Sequence, residues 1–321
     1  AARERKPFPH LGGLDGVRAI AVVAVVAYHA GATWLPGGFL GVDVFFVLSG
    51  FLITALIAHE VATTGSFGVR EFYRRRILRL LPALLTVLAA VAIAGLIWRD
   101  LLGGIRGALL AGATYTSNWW QIYAQDSYFA SGGRPPLLRH LWSLAIEGQF
   151  YLLAPLMAWV LLRSGRRQLG RIALVFAIAS TLLMAIWSVM AQMPVPFDPS
   201  RLYFGTDTHL GGLMIGVVLA CVWQPWRIWP EHRSWLRGSD VTPRWRSGLL
   251  ADVVGVVALV IVISVMTSEG EISPGLYRGG FLSFSVLCAL VVAAAAHPGT
   301  LIGRALSIPP LAWLGSRSYG I

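Results

Sequence analysis

Arg18 and His29 stand eleven positions apart, and the run from Ala19 to Tyr28 between them carries no charge. Eleven residues of α-helix make close to three turns, so both side chains face the same way, about 16 Å apart along the axis. A guanidinium suits phosphate recognition. An imidazole with one nitrogen held by a neighbour can take a proton from a hydroxyl. Each residue also has a plainer reading, Arg18 as a snorkelling topology anchor and His29 as a hydrogen-bonded residue between helices. Ionisable groups inside apolar helices mark function by default, which puts the reactive reading of His29 first.

Asp43, Glu147, Asp207 and His209 each fall a short way into an apolar run from its outer end. With His29 they predict a polar cavity in the outer half of a bilayer, where a carboxylate orients the imidazole. The alternative is a structural hydrogen-bond network in a bundle core. In the stretch from Phe72 to Pro82, Arg76 and Arg79 are three apart and share a helix face. They could bind phosphate, or form an anionic-lipid patch at a membrane edge. Gly37, Gly38 and Gly41 predict close backbone approach, and the Ser49-Gly50 step reads as packing. Cys221 and Cys288 lie inside apolar runs without metal-ligand spacing, so they read as packing residues and no metal is expected.

The elements that must position these residues follow from composition. The 321 residues are 56% hydrophobic and 13% charged, with a mean hydropathy of +0.67. Soluble domains carry about 25% charged residues, so the solvent here is lipid. Apolar runs of spanning length cover about 14–33, 39–60, 80–98, 141–162, 172–192, 204–223, 249–266 and 279–297, and a last one starts near Ser318. The first run is interrupted by Arg18 and His29 and has no clear cleavage site, so it reads as a span and not as a signal peptide.

The segment 105–123 has spanning length, but Thr114, Thr116, Ser117, Asn118 and Gln121 crowd its second half. If it does not cross, and the N-terminus is cytoplasmic, 20 of the 26 cations lie inside and 6 outside; if it crosses, each side holds 13. The positive-inside rule selects the first arrangement. The expected fold is therefore one all-α domain over 1–321, a polytopic transmembrane bundle of about nine to ten helices, with a re-entrant element at 105–123. The net charge of +11, almost all of it arginine, then reads as cytoplasmic loops and not as nucleic-acid binding.

The quoted residues, in order and spacing, resemble the acyltransferase-3 family of integral membrane O-acyltransferases over nearly the whole chain. The landmarks are Leu14-Asp15-Gly16-Val17-Arg18-Ala19 with His29, Gly41 to Ile53, and Arg76-x-x-Arg79 before Pro82. They continue with His140-Leu141-Trp142-Ser143-Leu144-Ala145-Ile146-Glu147 running into Gln149-Phe150-Tyr151. Asp207-Thr208-His209, Arg278-Gly279-Gly280 and Leu314-Gly315-x-x-Ser318-Tyr319 complete them. In two places the chain departs from the family. A paired Glu-Glu-Gln reads Glu147-Gly148-Gln149 here, and the sequence given stops at Ile321 where a further helix is expected to continue.

The resemblance implies transfer of an acyl group, commonly acetyl, from cytoplasmic acyl-CoA to a hydroxyl of an extracytoplasmic envelope carbohydrate or glycolipid, in the bacterial inner membrane. It implies that His29 is catalytic, helped by Glu147 or Asp43, and that Arg18, Arg76 and Arg79 hold the donor. Asp207, His209, Trp142 and His140 are the expected substrate-binding residues. Many relatives also carry a periplasmic SGNH-type domain, an expected partner. Two other classes fit the buried polar residues: a transporter or proton-coupled flippase for a lipid-linked precursor, and a structural subunit of an envelope assembly complex.

Overall fold

The computed structural model describes residues 8–97, 105–129, 136–224 and 245–318. Among these residues there are helices and no strands. The long apolar ones are α1 (Gly12–His29), α2 (Gly41–Thr64), α3 (Val69–Ile97), α7 (Ala154–Met190), α11 (Trp245–Ser268) and α12 (Phe281–Ala295). Between them lie α4 (Ile105–Ala113), α5 (Ser117–Tyr123), α6 (Leu141–Leu152), α8 (Ser200–Phe204), α9 (Thr206–His209) and α10 (Gly211–Val222), and after α12 come α13 (Leu301–Leu306) and α14 (Pro309–Arg317). Among the described residues, six helical segments are long and apolar enough to cross a membrane, and Thr206–Val222 forms a shorter apolar one. The architecture is an all-α polytopic membrane bundle.

Several boundaries differ from the expected ones. The α1 helix stops at His29, not at 33, because Gly31 adopts a left-handed φ of 79°. Gly31 N–H donates to the Tyr28 carbonyl at 3.0 Å and Ala32 N–H to that of Ala27 at 3.0 Å, a Schellman closure of the helix end. The helix expected from residue 80 begins at Val69, so the basic stretch forms its first part, and α3 carries Pro82 in its interior. The arginine-rich stretch 163–171 is helical too, and the expected 141–162 and 172–192 spans are α6 and α7, with a kink in α7 at Gly165 (φ 75°). The expected 298–317 loop holds α13 and α14. The span expected from Ser318 onward lies outside the described residues.

The 105–123 segment breaks into α4 and α5 at Thr114–Thr116, with Tyr115 at φ 56°. Neither piece approaches the roughly 20 residues a crossing needs. The polar residues that argued against a span are the ones that tie it down. Asn118 donates to Thr206 Oγ1 (2.9 Å) and to the Phe204 carbonyl (3.0 Å); Gln121 donates to the Arg139 carbonyl (3.0 Å). Thr206 in turn donates to Gln149 Oε1 (2.7 Å), and Gln149 donates to Asn118 Oδ1 (3.0 Å).

The core sits around α2, which buries Phe46, Val47, Phe51 and Ile57. It crosses α10 closely because Gly50 lies against the Leu213 carbonyl and Gly216 against that of Val47. Without a hydrophobic drive between helices in lipid, such small-residue contacts carry the association. By contrast α3 buries only Phe72, Leu80, Leu84 and Leu88 and turns most of its surface outward.

Candidate functional site

A cavity of about 450 Å³ opens between α1, α2, α3 and α6. Its walls are mostly apolar, and its polar groups include seven of the sequence-predicted set: Arg18, His29, Arg76, Arg79, His140, Trp142 and Glu147. Arg18 and His29, one face of α1, line the same space.

At one end are the guanidiniums. Arg74 and Arg75 pair with Glu71, and Arg75 also with Glu60. Arg76 and Arg79 make no ion pair among the described residues, and both line the cavity. Arg76 Nε is buried with no hydrogen-bond partner, while its guanidinium lies 5.6 Å from the Phe72 ring centroid. Arg18 is paired with Asp15 at 2.7 Å, and Asp15 also meets His10 at 2.9 Å. This end of the cavity therefore holds cations in excess of anions, a setting for a phosphate-bearing ligand.

Glu147 lies next to them, with Arg18 and Arg79 within electrostatic range. Ser49 Oγ donates to Glu147 Oε1 at 2.8 Å and the Tyr151 hydroxyl donates to Oε2 at 3.0 Å, so both carboxylate oxygens are held. Ser49, read from sequence as packing, is a cavity residue. Glu147 is seven residues along α6 from His140, a rise of about 10 Å, which is the two turns expected for it.

His29 stands at the other end, at the terminus of α1. Its Nδ1 lies 2.8 Å from the Val25 carbonyl. A carbonyl can only accept, so Nδ1 carries the hydrogen, and the lone pair of the neutral ring is on Nε2. Nε2 faces the Tyr128 hydroxyl at 3.4 Å, and both residues line the cavity. The group that orients His29 is thus a backbone carbonyl of its own helix, in place of the expected carboxylate. Burial holds the Tyr128 phenol well above its usual range, so it remains a hydrogen-bond donor. Tyr128 was missed from sequence; it sits in a loop with no periodicity to flag it.

Asp43, Asp207 and His209 do not line the cavity. Asp207 forms a two-bond ion pair with Arg201 (3.1 and 2.8 Å), whose guanidinium lies 4.3 Å from the Trp187 ring centroid. Asp43 and His209 find each other: His209 Nε2 is 2.8 Å from Asp43 Oδ1, and its Nδ1 is 2.7 Å from the Tyr203 carbonyl. The same carbonyl argument puts a hydrogen on Nδ1, so one proton is shared between Nε2 and Oδ1. The pair is fully buried behind Phe46 and Trp142, two cavity-wall rings that contact His209 edge-on and stacked respectively. Of the three candidate histidines, His29 and His140 line the cavity and His209 does not. Among the described residues no cluster of side chains could hold a metal ion.

Comparison with known proteins places this geometry in context. A family model described as an acyltransferase domain matches residues 11–321. The peptidoglycan O-acetyltransferase OatA of Listeria monocytogenes is 39% identical over 313 residues, 97% of this chain and 48% of that protein. The O-acetyltransferase OatA of Staphylococcus aureus is 37% identical over 314 residues, again 97% of this chain and 49% of that protein. The chain thus spans about half the length of these curated relatives. No solved structure matches it.

Proposed function

The chain belongs to this acyltransferase family, and on that premise we propose that it transfers an acyl group, most simply acetyl, from cytoplasmic acyl-CoA to a hydroxyl of an envelope glycan outside the bacterial inner membrane. The observation that carries the reading is the single cavity lined by Arg18, Arg76 and Arg79 as well as His29. The nucleotide phosphates of the donor meet the three guanidiniums, and the pantetheine arm follows the roughly 16 Å of α1 between Arg18 and His29. The names of the relatives support acetyl as the group and peptidoglycan as the acceptor.

In the reaction, the acceptor oxygen attacks the thioester carbonyl while His29 Nε2 takes its proton. The C–S bond breaks, and the departing thiolate receives that proton from His29. The Val25 carbonyl keeps Nδ1 protonated throughout and supports the imidazolium. Glu147, held by Ser49 and Tyr151, sits along the donor path as a carboxylate that offsets the mutual repulsion of the nearby arginines; His140 and Trp142 shape the acyl end.

The test is release of thiol from acetyl-CoA by the purified protein with an O-acetylated glycan as product. His29→Ala should lower this by about 10²-fold or more. Undiminished turnover in that variant removes His29 from the chemistry, and movement of a lipid-linked substrate without thiol release would make the protein a transporter.

A further inference from the structure

Arg139 lies in the segment before α6 and has no carboxylate within ion-pair distance among the described residues. Its charge is directed elsewhere. Nη1 donates to the carbonyls of Ser127 (3.3 Å) and Tyr128 (3.1 Å), and the guanidinium lies 5.2 Å from the centroid of the Tyr128 ring. One side chain therefore grips both the backbone and the ring of the residue that faces His29 Nε2.

The other bonds around it tighten the same grip. Tyr128 N–H donates to Ser200 Oγ at 2.7 Å, and Ser127 Oγ donates to Asp198. Gln121 Nε2 donates to the Arg139 carbonyl at 3.0 Å, which ties Arg139 itself to α5. Arginine suits the task because its planar fork reaches two carbonyls while its face stays over an aromatic ring. A half-buried cation whose hydrogen bonds and ring contact all fall on Tyr128 and the residue before it is hard to account for as a topology signal.

We infer that Arg139 is a positioning residue for transfer: it holds the Tyr128 hydroxyl against His29 Nε2 and so fixes the geometry of the basic nitrogen. Arg139 touches neither donor nor acceptor and acts through Tyr128. The inference rests on the reading of His29 as the base.

The experiment is a double-mutant cycle on acetyl transfer by the full chain in detergent, with Arg139→Gln, Tyr128→Phe and the pair, and His29→Ala run alongside. Arg139→Gln should lower kcat about tenfold and leave the KM for acetyl-CoA within about twofold. In the Tyr128→Phe background the same change should cost less than about twofold, because the hydroxyl it positions is already gone. Arg139→Lys, which retains the cation over the ring and one carbonyl bond, should recover part of the loss; it replaces Arg139→Gln in the cycle if that variant does not accumulate. Equal losses in both backgrounds, an unchanged kcat in Arg139→Gln, or full activity in Tyr128→Phe would each overturn the inference. Full activity in His29→Ala would instead overturn the reading beneath it, so the two failures are distinct.

Discussion

Ser49 and Glu147 meet at 2.8 Å although 98 residues separate them in the chain. The contact joins α2 to α6 across the cavity, and with Tyr151 it occupies both oxygens of the carboxylate. Ser49→Ala removes one bond and no charge. It should slow acetyl transfer about fivefold, the equivalent of ~1 kcal/mol for one such hydrogen bond. Glu147→Gln, which removes the charge among the arginines, should cost more. Initial rates at saturating acetyl-CoA measure both, and wild-type rates in the pair of variants would take Glu147 out of the site.

The Asp43–His209 pair makes a sharper prediction. With His209 Nδ1 committed to the Tyr203 carbonyl, an asparagine at 43 can turn its NH₂ toward Nε2, since Asp43 Oδ2 has no other partner among the described residues. Asp43→Asn should therefore retain turnover and thermal stability. Asp43→Ala leaves a buried nitrogen unpaired and should cost about 1–3 kcal/mol. Thermal unfolding in detergent with parallel activity assays separates the cases. A folded but inactive Asp43→Asn protein would return Asp43 to the chemistry.

Arg76 should act on the phosphates of the donor and nothing else. Arg76→Ala should raise the KM for acetyl-CoA about tenfold or more, and Arg76→Lys should recover little because the planar fork is lost. S-acetylpantetheine, which lacks the nucleotide, should bind weakly and equally to wild type and variant. Arg74→Ala is the control, since Arg74 pairs with Glu71. An equal effect on both donors would place Arg76 away from the phosphates.

The crossing of α2 and α10 depends on the absence of side chains. A methyl group on Gly216 would run into the Val47 carbonyl, and one on Gly50 into that of Leu213. Backbone cannot step aside as a side chain can. Gly216→Ala should destabilise the bundle by about 1–3 kcal/mol, read as a lower unfolding temperature in detergent. No change in that temperature would mean that the two helices separate without cost.

Much of this architecture is local and therefore legible. Runs of apolar residues located the long helices, and the crowding of Thr114, Thr116, Ser117, Asn118 and Gln121 marked where 105–123 breaks. Helical spacing alone put Arg18 and His29 on one face, and they line one cavity. The end of α1 at His29 was missed because a cap depends on a single left-handed glycine, which leaves no trace in hydropathy. Partner choice was less accessible still. Nothing near Asp43 in sequence says that its neighbour is His209 and not His29, and nothing near Ser49 points to Glu147. Those choices depend on how helices distant in the chain settle against one another. Tyr128 lies in irregular backbone, where neither a period of 3.6 nor charge counting has any purchase.

Asn118, Thr206 and Gln149 each give one bond to the next around a closed triangle. The amides have further bonds, from Asn118 Nδ2 to the Phe204 carbonyl and from Gln149 Nε2 to the Tyr115 carbonyl. Because those two carbonyls accept only, neither amide can rotate by half a turn, and the triangle can circulate in one direction alone. Its polarity is thus written into the backbone. A lone substitution at any corner strands two groups at once, so this junction can drift only by changing several corners together.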